Sequence, residues 1–89
     1  MKTFSAIVTD KVGLHARPAS ILAKEASKYN SDIKILSGGK TGNLKSIMNV
    51  MAMAIKNGAE ITIEASGSDE NEAIDGIKNA LITNSVISE

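Results

Sequence analysis

Residues 3–9, "TFSAIVT", alternate: Phe4, Ala6 and Val8 stand against Thr3, Ser5, Ile7 and Thr9, which predicts a strand. The period then changes. Over 17–29 the apolar positions Ala19, Leu22, Ala26 and Tyr29 recur at helical spacing, with Pro18 in the first turn, where an N–H has no intrahelical partner. Alternation returns over 32–37, with Ile33 and Ile35 inward, and Gly38-Gly39 turns the chain into a short third strand over 40–43. Ser46 is an N-cap for a helix running to about Lys56, and Gly58 is its stop. Residues 60–66 place Ile61, Ile63 and Ala65 inward on a fourth strand. The capping signal Asp69-x-x-Glu72 then opens a last helix whose buried stripe is Ala73, Ile74, Ile77 and Leu81.

The order is strand, helix, strand, strand, helix, strand, helix. Helices joined this way can all lie on one face of a mostly antiparallel four-stranded sheet. The expected fold is thus an α+β open-faced sandwich, βαββαβα, in a single domain over residues 1–89. Such a fold hosts many activities, so function has to be argued from a site.

Composition narrows the choices. Ten basic and ten acidic residues cancel, so no net field draws the chain to nucleic acid or membrane. One Tyr, one Phe and no Trp argue against base stacking. The absence of cysteine excludes disulfides and thiolate metal sites, and with no leader-like or membrane-spanning run a cytoplasmic location is expected. One histidine without cysteine does not make a zinc site, and no cofactor or metal is expected. A monomer is the default.

The one histidine and the one proline fall together in "VGLHARPAS", residues 12–20. A neutral imidazole is a good nucleophile and can hold a phosphoryl group as a labile phosphoramidate. Such a group brings about two negative charges. The Ala16 and Arg17 N–H groups at a helix start, and the Arg17 guanidinium, are suited to meet them. Pro18 biases Arg17 away from helical geometry, so Arg17 is expected near the cap and free to swing, while Gly13 lets the preceding loop turn tightly. The plain alternative is a surface histidine satisfied by a local hydrogen bond.

"GLHARPAS", "GNLKSIMNVMAMAI" and "NGAEITIEASGSDENEAI" closely resemble the HPr family, the histidine-containing phosphocarriers of the bacterial phosphoenolpyruvate:sugar phosphotransferase system. The resemblance spans nearly the whole chain. It implies the same open-faced sandwich and a carrier with no turnover of its own. His15 would accept a phosphoryl group from phospho-enzyme I through Nδ1 and pass it to the IIA domain of a sugar permease. Arg17 matches the family's arginine beside the phosphohistidine.

By itself Ser46 reads as an ordinary N-cap. The resemblance implies the regulatory serine of low-GC Gram-positive members, phosphorylated by HPr kinase/phosphorylase, the modified form also serving as a corepressor of the catabolite control protein. A phosphate there would repel an acidic partner surface and slow transfer through His15. Three positions depart from the family pattern: Asn49 and Ala54 stand where relatives commonly have Gly, and Gly42 replaces a β-branched residue. They bear on the shape of the Ser46 helix and the third strand.

Residues 47–55, "IMNVMAMAI", hold one polar residue. With Val50, Met53 and Ala54 in the core, Ile47, Met48 and Met51 are left as an exposed patch beside His15; the alternative is a more deeply buried helix. Methionine suits a surface that fits several partners. On the first helix Ala16, Ser20, Ile21, Lys24 and Ser27 lie off the core stripe and resemble the family's docking face. Lys24 and Lys45 are either plain solvated charges or attractors of acidic partners. Two other readings compete: a purely regulatory Ser46-phosphorylated corepressor, against which His15 argues, and a small metal-carrying α+β domain such as a copper chaperone, against which the lack of cysteine argues.

Overall fold

The structure, a computed structural model, describes residues 1–88. The elements follow in the expected order: β1 (Lys2–Ile7), α1 (Ala16–Ala26), β2 (Asp32–Ser37), β3 (Lys40–Asn43), α2 (Ile47–Ala52), β4 (Glu60–Ser66) and α3 (Glu70–Thr83). The four strands form one sheet in the order β1-β4-β2-β3, and all three pairings are antiparallel. Phe4 sits opposite Ile63, and Ile63 opposite Ile35, so the apolar faces of three strands are in register. Ile33, Ile35, Ile61, Ile63 and Ala65 are fully buried beneath the helices, where they meet Leu22, Val50, Ile77 and Leu81. The opposite face is polar; there the Ser5 and Thr62 hydroxyls lie 2.8 Å apart. The alternation in the sequence is the cause, because successive side chains of a strand point to opposite faces.

Several element ends differ from the sequence reading, each for a local reason. β1 stops at Ile7: Val8 leaves the ladder, donates to the Ala59 carbonyl at 2.9 Å and pairs with Ile87. The chain after α3 thus returns under the β1 end, burying Val86 and Ile87. α1 ends at Ala26 instead of Tyr29, since the Ser27 hydroxyl donates to the Ala23 carbonyl. Lys28 and Tyr29 then donate to carbonyls three residues back. Tyr29 still packs on the core, its hydroxyl donating to Glu25.

α2 is shorter than its apolar run suggests. It ends at Ala52 because Ala54 turns left-handed, with φ +51°. That reversal exposes Ala54, which the sequence placed in the core, and turns Ile55 inward to 5% exposure. Ala54 thus holds, at some strain, the backbone region that the family's glycine enters freely. The other two departures explain each other. Gly42 is buried, and a Cβ built on it would lie 3.0 Å from the Met53 sulfur and 3.5 Å from the Asn49 Cβ. Met53 and Asn49 fill the room that a β-branched side chain would need.

Asp69 precedes α3, but its side chain does not cap that helix. It reaches instead to the α1–β2 loop, accepting the Asn30 N–H at 2.8 Å, the Ser31 N–H at 2.9 Å and the Ser31 hydroxyl. The Ser31 hydroxyl, then the Asn30 N–H, hold its carboxyl below the ordinary aspartate range. Among the described residues no helix is long and apolar enough to cross a membrane.

The loop before α1 is fixed by contact between backbones. Gly13 has φ +84°, and a Cβ there would fall 2.4 Å from the Ile55 carbonyl oxygen and 2.7 Å from the Lys56 Cα. Gly13→Ala should therefore cost about 2 kcal/mol or more, strain and steric overlap together, read as a lowered urea midpoint. For Asp69, the folded carboxyl ionises at lower pH than the unfolded one. The stability it contributes is complete above the ordinary aspartate range and is lost as pH falls through the folded value. The gap in urea midpoint between wild type and Asp69→Asn should accordingly close as pH drops from about 5 to below about 3.

Candidate functional site

His15 is the residue immediately before α1. Its backbone is extended, with φ −83° and ψ −170°, and its carbonyl accepts the Ala19 N–H at 3.0 Å. Two bonds set its position: its own N–H donates to the Gly13 carbonyl at 3.1 Å, and the Leu14 N–H donates to the Ile55 carbonyl at 2.9 Å. The imidazole caps nothing and is 35% exposed. Its Nδ1 has no hydrogen-bond partner among the described residues. The residue is thus held at its backbone while Nδ1 is left free, and a covalent acceptor needs a positioned, unpartnered nitrogen of this kind.

The Ala16 and Arg17 amides open α1, where N–H groups lack intrahelical acceptors. No side chain caps them, no acidic residue stands in the first turn, and Pro18 in third place has no N–H to contribute. The positive end of an eleven-residue helix thus opens beside the imidazole. Arg17 differs from the sequence expectation. It is helical, and α1 begins one residue earlier, at Ala16. The residue before a proline is only biased against helix; here the buried Pro18 and Ala19 anchor the first turn in the core. The freedom of Arg17 resides in its side chain, which is 58% exposed.

Asp10, which the sequence reading passed over, belongs to this group. Its Oδ1 lies 3.9 Å from His15 Nε2, and its Oδ2 lies 4.0 Å from an Arg17 guanidinium nitrogen. The signal was present: Asp10-Lys11-Val12-Gly13 has Asp in first and Gly in fourth place, the preference of a type I turn. The Gly13 N–H does donate to the Asp10 carbonyl, at 3.1 Å. Such a turn carries residue 10 back toward residue 15.

Of the surface positions, Ala16, Ser20, Lys24 and Ser27 are exposed along one side of α1, and Ile21 is half-buried. On α2, which packs against α1, Ile47 is 40%, Met48 80% and Met51 46% exposed, while Val50 and Met53 are buried. Lys45 stands apart from any basic ring at Arg17: its ammonium donates to the Tyr29 carbonyl at 2.9 Å, past the far end of α1. Ser46 caps α2, its hydroxyl accepting the Asn49 N–H at 3.2 Å and the Asn49 side-chain amide at 3.1 Å. The Asn49 side-chain Oδ1 also accepts the Asn43 N–H at 3.2 Å, which ties β3 to α2. Among the described residues no group of three or more His, Cys, Asp or Glu is placed to hold a metal ion.

The model of one protein family, described as the PTS HPr component phosphorylation site, matches residues 2–83. The Phosphocarrier protein HPr of Mycoplasma capricolum subsp. capricolum is 66% identical over 87 residues, 98% of each chain. The solved structure of a histidine-containing phosphocarrier protein from a mycoplasma superposes with a TM-score of 0.98 at 64% identity, covering 99% of this chain and 100% of that one. That of HPr-C-His from Thermoanaerobacter tengcongensis gives 0.88 at 37% identity, covering 100% and 99%. With its sheet order, its helix-opening histidine and this likeness over its whole length, the chain belongs to the HPr family of phosphotransferase-system phosphocarriers.

Proposed function

We propose that this chain is a single carrier domain over residues 1–89 that takes a phosphoryl group from phospho-enzyme I on His15 Nδ1 and delivers it to IIA domains of sugar permeases. The observation that carries the reading is the unpartnered His15 Nδ1 beside the uncapped N–H groups of Ala16 and Arg17, in a chain of this family. In the accepting step a P–N bond forms at Nδ1 as the bond from phosphorus to enzyme I breaks. Delivery reverses the roles, with the imidazole as leaving group. The Ala16 and Arg17 amides and the Arg17 guanidinium bind the oxygens as their charge accumulates. The protein turns over no substrate and works in the cytoplasm as a monomer.

Docking uses Ala16, Ser20, Ile21 and Lys24 of α1 and Ser27 just after it, with Ile47, Met48 and Met51 of α2. The three exposed apolar side chains support this, since scattered surface apolar residues seldom gather on one short helix. Affinity near micromolar, about −8 kcal/mol, suits a relay that must release its partners. Ser46 serves as a second, regulatory phosphorylation site for an HPr kinase/phosphorylase, with a catabolite control protein as reader. A purely regulatory protein would have no use for the arrangement at His15.

Phosphorus NMR with phosphoenolpyruvate, Mg²⁺ and catalytic enzyme I tests the reading. Wild type should give an acid-labile phosphohistidine signal and His15→Ala none; a signal surviving in His15→Ala overturns it. Arg17→Ala should accept phosphoryl about 10²-fold more slowly, the usual loss for one charge-stabilising donor, in a stopped-time assay of the same mixture. Ser46→Asp should slow acceptance by about fivefold or more through added negative charge; an unchanged rate would remove the regulatory role from this position.

A further inference from the structure

The carrier reading leaves Asp10 without a task, although its carboxylate faces both groups that reading uses. Asp10 is not a loose surface charge. Its N–H donates to the Val86 carbonyl at 3.3 Å, its carbonyl accepts the Gly13 N–H at 3.1 Å and the Asn57 side-chain amide at 3.2 Å, and its Oδ1 accepts the Val12 N–H at 2.9 Å. Four hydrogen bonds from three separate stretches of chain hold it in place, and its side chain is only 13% exposed. Among the described residues it is the one carboxylate within 4.0 Å of either the imidazole or the Arg17 guanidinium.

We propose, building on the carrier reading, that Asp10 is a specificity residue: it keeps free anions out of the empty phosphate cradle by occupying Arg17 and adding its own negative charge there. Two uncapped amides, a guanidinium and a helix end would otherwise attract inorganic phosphate from the surroundings. A phosphate ion in that cradle would have to be expelled before each transfer. The gate discriminates by tethering. Asp10 is fixed in the fold and competes for Arg17 intramolecularly, so a free ion is at a disadvantage. A phosphoryl group on His15 is tethered as well, and with about two charges against one it draws the guanidinium away. The weakness of the Asp10–Arg17 pair serves this exchange. An ion pair 4.0 Å long with a 58% exposed arginine is easily released.

The role predicts a gain of binding on removing Asp10, whereas damage to the loop alone would weaken binding. Asp10→Asn keeps an oxygen for the Val12 N–H and removes the charge; Asp10→Ser provides a hydroxyl for the same N–H. Inorganic phosphate is titrated into each protein at neutral pH and constant ionic strength, following the Ala16 and Arg17 amide resonances. Both variants should bind phosphate about three- to tenfold more tightly than wild type, as fits one charge acting on a dianion across a few ångström of water-like medium. Asp10→Glu, which restores the charge, should return toward wild type. Equal or weaker phosphate binding in both uncharged variants overturns the role of Asp10. Phosphoryl acceptance by wild type is scored separately: normal acceptance with unchanged phosphate affinity sinks the gate alone, and tighter phosphate binding without acceptance supports the gate and sinks the carrier reading.

Discussion

The site depends on a place where two backbones touch. Gly13 lies against the Ile55 carbonyl and the Lys56 Cα with no room for a side chain, and the Leu14 N–H closes the contact on the same carbonyl. This crossing joins the loop before α1 to the segment after α2. It sets where α1 starts, and so puts an imidazole first in line at the positive end of that helix. Leu14, 4% exposed, carries the crossing into the core, so the position of His15 is backed by burial as well as by hydrogen bonds. A side chain held this way is placed by the fold and needs no enclosing pocket to fix it.

Much of this arrangement is legible in the sequence because it rests on local periodicity. The alternation of Ile33 with Ile35 and of Ile61 with Ile63 predicts the inner face, and the spacing of Ala73, Ile74, Ile77 and Leu81 predicts the buried side of α3. The exposure of Ile47, Met48 and Met51 follows from the limits on how much a short helix can bury. His15 and Arg17 stand out in the sequence because the one histidine, an arginine and the one proline fall together at a predicted helix start.

What escapes such reading depends on contacts between distant residues. Asp69 has the sequence of a cap, but the Asn30 and Ser31 N–H groups compete for its oxygens and win. The end of α2 is set by the left-handed turn at Ala54, which no propensity favours and which the burial of Ile55 compensates. Val86 and Ile87, beyond the last predicted apolar position of α3, fold back on Val8 and Thr9, a contact no local pattern announces. Asp10 was hidden for the same reason, since a turn, not a period, carries it to the histidine.

The fit of Gly42 against Asn49 and Met53 shapes how this chain can diverge. A β-branched residue at 42 would press on the Met53 sulfur and crowd Asn49. Glycine at 49 would leave that space empty and release both the Ser46 hydroxyl and the Asn43 N–H. Positions 42 and 49 share this space, so the effects of changing them are not expected to add. A side chain can be added at 42 only where Met53 shifts its flexible end, so the third strand and the Ser46 helix tolerate change jointly and not one position at a time.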